Sequence, residues 1–136
     1  MFLSFLLLGD ACIVRAEEET PPPVTIPITW THHRVMIPAQ INGSKTVSVL
    51  LDNGFTIPTL HPSIIDELGL QPSGSIRISG IAGEERAPTY RGIIFNLGTT
   101  SYAPRRVAAI PSERDRRRRR DGVIDAGLFR QFVVEI

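Results

Sequence analysis

An apolar run that ends directly in a carboxylate, Val47-Ser48-Val49-Leu50-Leu51-Asp52-Asn53-Gly54-Phe55-Thr56, constrains this chain more than any other stretch. Its Val and Leu residues read as a buried β-strand, and Asn53-Gly54 is a pair that tolerates positive φ. Asp52 therefore stands where a core strand meets a tight turn. An ionised side chain beside a core must be paired, hydrogen-bonded or protonated. Two readings stay open on this stretch alone: an Asx-turn in which Asp52 bonds its own downstream backbone, or a carboxylate kept for chemistry.

The surrounding sequence is organised as short strands joined by turns. Arg34 to Ile41 reads as a strand, Asn42-Gly43 is the favoured two-residue hairpin turn, and Lys45 to Leu51 returns, so the hairpin delivers Asp52 to its far end. Upstream, Val24 to Thr31 alternates apolar with polar residues and reads as a strand that Pro27 confines to an edge. Downstream, Ile57 to Leu60 can form a short strand. Pro62 to Gly69 has the grammar of a short helix, with proline in its first turn and glycine at its end. Ser75 to Ser79 alternates again, Gly80-Ile81-Ala82-Gly83-Glu84-Glu85 forms a glycine-bearing loop, and Thr89 to Leu97 returns as a strand. This second hairpin is either an ordinary long one or a lid. Ser101 to Ile110 makes a further strand. Gly122 to Ile136 then predicts a short buried strand, a turn, a helical turn and a last strand.

Composition limits what such a chain can be. At 136 residues it holds one domain, 42% hydrophobic residues suffice for a core, and 11 glycines with 11 prolines favour an all-β architecture over a helical bundle. The single Cys12 excludes an intramolecular disulfide and a cysteine-based zinc site. His32, His33 and His61 lack metal-motif spacing, and adjacent His32 and His33 would face opposite sides of a strand, so no metal or other cofactor is assigned. Met1 to Ala16 carries the short apolar run Phe2 to Leu8 and a small residue before Glu17, the pattern of a cleaved export signal too short to span a bilayer in the mature chain. Residues 17–33 make an acidic, proline-rich spacer and the edge strand, which leaves the globular domain at 34–136. Eight arginines fall between Arg105 and Arg120, but the consecutive run Arg116 to Arg120 has no interleaved aromatics, which argues for a solvated loop and against nucleic acid as a partner.

The order of parts resembles the retropepsin-like aspartic proteases, most of all their single-lobe bacterial members. The residues that carry the resemblance are the Asn-Gly hairpin, the strand into Asp52-Asn53-Gly54-Phe55-Thr56, the short helix ending Leu68-Gly69-Leu70, the glycine-bearing flap, and Asp121-Gly122-Val123-Ile124 before Leu128 to Val134. The resemblance implies a small closed β-barrel-like protomer with one or two short helices, working as a homodimer on a polypeptide substrate. It implies Asp52 as the catalytic residue and Asn53, Gly54 and Thr56 as its loop, with Gly54 offering an N–H to the carboxylate and Thr56 a hydroxyl. Gly80, Ile81, Ala82 and Gly83 would form the flap, and Ile124-Asp125 the second loop. Each protomer supplies one aspartate because two carboxylates about 3 Å apart cannot both ionise and so share a proton.

The sequence departs from the family pattern at three places: Asn53 where Thr or Ser is usual, Phe55 where a small residue is usual, and Asp125 where glycine is usual. Two functions follow as expectations, an aspartic endopeptidase or a catalytically silent relative that dimerises or binds peptide. Asp125-Ala126-Gly127 is itself an Asp-x-Gly. Either it is an exposed turn or it pairs with Asp52 within one chain, and the chain is short for the two lobes that such pairing needs.

Overall fold

The structure, a computed structural model, describes residues 20–80, 83–111 and 120–136. The leader at 1–16, the flap tip Ile81-Ala82 and the run Arg116 to Arg119 lie outside the described residues. Ten strands among the described residues form one curled sheet: β1 (Thr29–Thr31), β2 (Arg34–Ile41), β3 (Lys45–Leu51), β4 (Thr59–Leu60), β5 (Gly74–Gly80), β6 (Gly83–Tyr90), β7 (Phe95–Leu97), β8 (Thr100–Tyr102), β9 (Val107–Ala109) and β10 (Gly122–Ile124). Among the described residues two short helices, α1 (Pro62–Leu68) and α2 (Ala126–Gln131), pack against it. The strands follow the order β5-β6-β9-β4-β10-β3-β2-β7-β8, with β1 also on β2. The sheet curls into the half-barrel that the sequence resemblance implies.

The β2–β3 hairpin forms over the predicted residues, and the alternation of β2 turns Ile37, Ala39 and Ile41 into the core. Asn42 and Gly43 both adopt positive φ, at 48° and 71°. The loop is one residue longer than the sequence predicts, because Ile41 pairs with Lys45 and the Ser44 N–H donates to the Ile41 carbonyl, as does its hydroxyl. Pro38 sits inside β2 at a harmless point. It falls between the residues that pair with β1 and those that pair with β7, so its missing N–H interrupts no ladder on that edge.

Several predicted strands are shorter or divided, each for a local reason. Of Val24 to Thr31 only Thr29–Thr31 pairs, downstream of Pro27, which cannot donate. His32 and His33 stand in no strand. Both have positive φ (48° and 60°) and make the turn between β1 and β2. The predicted strand Thr89 to Leu97 splits into the end of β6 and β7, since Gly92 turns the chain at φ 77° and Asn42 holds the backbone of Gly92 and Ile94. Ser101 to Ile110 likewise divides into β8 and β9 around Pro104. The predicted last strand does not form: α2 runs to Gln131, and residues 132–136 pair with no strand among the described residues.

Helix α1 follows its sequence signals closely. His61 caps it through Nδ1, which accepts from the Ser63 N–H, Pro62 opens it, and Gly69 ends it in the left-handed region at φ 65°. Ile64 and Ile65 are the buried face. The main core gathers Ile37, Ile41, Val49, Leu60, Ile65, Phe95 and Ile124 with their neighbours. A smaller cluster of Met36, Leu50 and Val123 lies apart from it, where β2, β3 and β10 run side by side. No helix among the described residues is long and apolar enough to cross a membrane.

Candidate active site

Strand β10 sits between β3, to which it is parallel, and β4, to which it is antiparallel. Glycine at its first position is a steric requirement, because a Cβ on Gly122 would lie 2.3 Å from the Thr59 carbonyl oxygen. Asp121 pins the same strand: its carboxylate accepts from the Ser48 N–H at 2.8 Å, its N–H donates to the Ser48 carbonyl, and its carbonyl accepts from the His61 N–H. Parallel pairing of Leu51 with Ile124 then brings Asp52 and Asp125 out at neighbouring strand ends. The two Asp-x-Gly stretches, far apart in sequence, become adjacent loops.

The first loop is closed by its own backbone and tied to the second. The Asp52 N–H donates to the Ile124 carbonyl at 3.0 Å, and the Phe55 N–H donates to the Asp52 carbonyl at 3.3 Å. Asp52 is half-buried, and its Oδ1 accepts from the Gly54 N–H at 2.9 Å. That single bond satisfies both readings of the stretch, since it is an Asx-turn and also an amide holding a carboxylate in place. Asn53 is exposed, and its amide makes no hydrogen bond within the described residues. Phe55 remains 37% exposed, so it shapes the surface beside the loop instead of filling the core. Its carbonyl accepts from the Ala126 N–H at 2.9 Å, a second tie between the loops. The Thr56 hydroxyl makes no bond to Asp52: the turn closes at Phe55, and the exposed Thr56 lines an open recess.

The second loop differs from expectation more. Asp125 is 4% exposed and accepts a 2.6 Å hydrogen bond at Oδ1 from the Tyr102 hydroxyl of β8, so it is no surface turn. Burial, then the hydrogen bond to Asp125 and its charge, push the Tyr102 phenol well above its usual range, with Arg130 acting in the opposite sense. Gly127 makes room for the pair, because a Cβ there would stand 2.2 Å from the Tyr102 oxygen and 3.2 Å from either Asp125 oxygen. Among the described residues no hydrogen bond joins the Asp52 and Asp125 carboxyl groups.

The flap residues belong to the β5–β6 ribbon. Its register runs without a break to Gly80 opposite Gly83, so the loop predicted from Gly80 to Glu85 is confined to Ile81 and Ala82, outside the described residues. Gly83 takes φ +115°, a conformation that favours glycine. Phe55, Ile110 and Val123 line a recess of about 180 Å3 with Thr59 and His61. No group of His, Cys, Asp and Glu arranged to hold a metal occurs among the described residues. Sequence reasoning did not find the Asp121 clasp, the Tyr102–Asp125 bond or the contact that makes Gly122 obligatory. All three join residues remote in the chain, and only Asp121-Gly122 carried a signal, as part of the family-like segment.

A family model described as aspartyl protease matches residues 37–128, about two thirds of the chain, which includes both Asp-x-Gly loops. The chain belongs to the aspartyl protease family. Its fold is also matched by the crystal structure of a retropepsin-like aspartic protease from Rickettsia conorii, with a TM-score of 0.56 at 15% identity, covering 84% of this chain and 94% of that one. Comparison with curated protein sequences gives no match. In this aspartyl protease the loop after β3 and the loop after β10 lie side by side, tied by the Asp52 N–H to the Ile124 carbonyl and by the Ala126 N–H to the Phe55 carbonyl.

Proposed function

We propose that this aspartyl protease is a homodimeric endopeptidase in which Asp52 of each protomer supplies half of the catalytic pair. The observation that carries the reading is the placement of Asp52. It is a half-buried carboxylate at the end of a core strand, clamped by the Gly54 N–H and by its own backbone bond to Ile124. A group held this firmly loses little freedom when a reaction needs it in one place.

Two such carboxylates brought together share one proton. The ionised one takes a proton from a water whose oxygen attacks the scissile carbonyl carbon, while the other donates its proton to the carbonyl oxygen. The tetrahedral intermediate collapses as the carbon–nitrogen bond breaks and the leaving amine accepts a proton. One chain contributes only Asp52 to this step, since the Asp125 carboxylate is buried and bonded to Tyr102. The segment 132–136 supports dimerisation: Phe132 and Val134 pack on the core while Val133 is 93% and Ile136 76% exposed. The β5–β6 ribbon serves as the flap over a polypeptide substrate, whose apolar side chain fits the recess of Phe55, Ile110 and Val123. The leader pattern of Met1 to Ala16 supports export of the mature enzyme to a periplasmic or extracellular space, with Glu17 expected at its N-terminus by sequencing of the purified protein.

A second reading is favoured by Phe55, by Asp125 and by Asn53. The exposed Asn53 amide replaces the hydroxyl that locks the two loops in relatives, which leaves a silent domain that dimerises or binds peptide. Cleavage of an unfolded protein in mildly acidic buffer separates the two. The enzyme reading expects cleavage that Asp52→Asn abolishes. Cleavage that survives this substitution refutes the assignment of Asp52, and a well-folded dimer that cleaves nothing supports the silent domain.

A further inference from the structure

The recess that Thr56 enters is built from elements on both sides of the candidate site. It has a volume of about 450 Å3 and lies between the flap strand β5, the segment leading into β9, and α2. Arg77 of β5, Arg105 and Arg106 before β9, and Arg130 of α2 line it. The only acid in its lining among the described residues is Asp125, buried and bonded to Tyr102. Arg77 is shared with Glu84 in an exposed pair at 3.5 Å, which contributes little. Arg105, Arg106 and Arg130 form no ion pair among the described residues. Four arginines from three separate segments thus line one open concavity. Like charges gathered in this way repel one another, and the cost is offset when an anion enters.

The recess is also within reach of the scissile bond. Thr56 follows Asp52 by four residues, a span of at most about 14 Å of extended chain. An extended substrate covers the same distance in about four residues.

We propose that this recess is an acidic-residue subsite: it takes a Glu or Asp side chain of a bound polypeptide within about four residues of the bond at Asp52, and so sets substrate preference. The proposal rests on the endopeptidase reading for the direction of the chain through the cleft, but the arginine site itself is testable without catalysis.

Binding is measured first, on the full chain carrying Asp52→Asn, with a fluorescent decapeptide containing three glutamates and its glutamine counterpart as probes. The acidic peptide is expected to bind about tenfold more tightly, as a few charge-assisted hydrogen bonds to guanidinium provide. The preference should vanish in Arg105→Gln/Arg106→Gln/Arg130→Gln and persist when Arg116 to Arg119 are changed to Gln. Equal binding of the two peptides overturns the proposal, and so does a preference that follows Arg116 to Arg119. Cleavage-site mapping on a peptide mixture is the second arm. Acidic residues should be enriched within four positions of the cut, and the Arg→Glu variants at 105, 106 and 130 should shift the enrichment to Lys and Arg. Cleavage with no acidic enrichment refutes the subsite while leaving the protease reading intact. Arginine-dependent acidic binding without any cleavage supports the subsite and removes the protease reading.

Discussion

Asp125 occupies a place where a carboxyl group is hard to keep, between a core strand and a helix, and a single partner makes the place tenable. Tyr102 supplies that partner from β8, with its ring 6.2 Å from Phe95 across the β7–β8 pair. Removing only the hydroxyl leaves a buried acceptor unsatisfied, so Tyr102→Phe is expected to cost about 1–3 kcal/mol in a urea titration. The variant carries a pH signature as well. The folded-state pKa of Tyr102 is raised above the unfolded value near 10.0, so the unfolded chain ionises first. The stability this group contributes is complete below about pH 10 and is lost as pH rises beyond it. Denaturation midpoints should therefore fall with alkali in the parent protein and fall less steeply in Tyr102→Phe. Asp52 shows the opposite relation between sequence and surroundings. Its partner, the Gly54 N–H, lies two residues away, so the Asx-turn was legible in the local sequence. The Tyr102 partnership was not, since nothing local links residues 23 apart.

Among the elements, β10 does most to place the site. It is three residues long, wholly buried, and joins the two halves of the sheet through β3 and β4. A Cβ at its first residue meets backbone, which cannot swing aside as a side-chain end can. Gly122→Ala is expected to destabilise by about 1–3 kcal/mol or more, the usual cost of overpacking, and calorimetry should show a clear fall in Tm. A melting temperature unchanged within error would mean that β10 and β4 are not held as closely as described. The other elements explain which boundaries sequence could locate. The β2–β3 hairpin and α1 carry their own turn and cap residues, and both appear over the predicted residues. The divided strands around Gly92 and Pro104 read as continuous because apolar alternation persists through a bend, and what bends the first is the remote Asn42 side chain.

At the scale of the whole molecule, the catalytic proposal depends on a second copy, and so does its energetics. Phe132 and Val134 anchor residues 132–136 to the core while Val133 and Ile136 are exposed, an arrangement that suits pairing with another chain. Specific activity is therefore expected to fall on dilution. Val133→Asp should lower the fraction of dimer in sedimentation at several concentrations by at least about tenfold in affinity, with loss of cleavage in parallel. Activity independent of concentration in a protein that sediments as a monomer would contradict the shared pair. Taken alone, the sequence determined the all-β class, the hairpin that carries Asp52, the capped helix and the order of parts that marks the family. The hairpin and the helix rest on periodicity and turn chemistry over a few neighbouring residues, the class rests on composition as well, and the family rests on a resemblance in the order of parts along the chain. Only the tertiary structure decided that Asp125 is buried against Tyr102, that Gly122 admits no side chain, and that arginines from three segments face one recess. Those outcomes depend on parallel pairing of β3 with β10 and on the curl of the sheet, which bring distant residues together without any local mark in the chain.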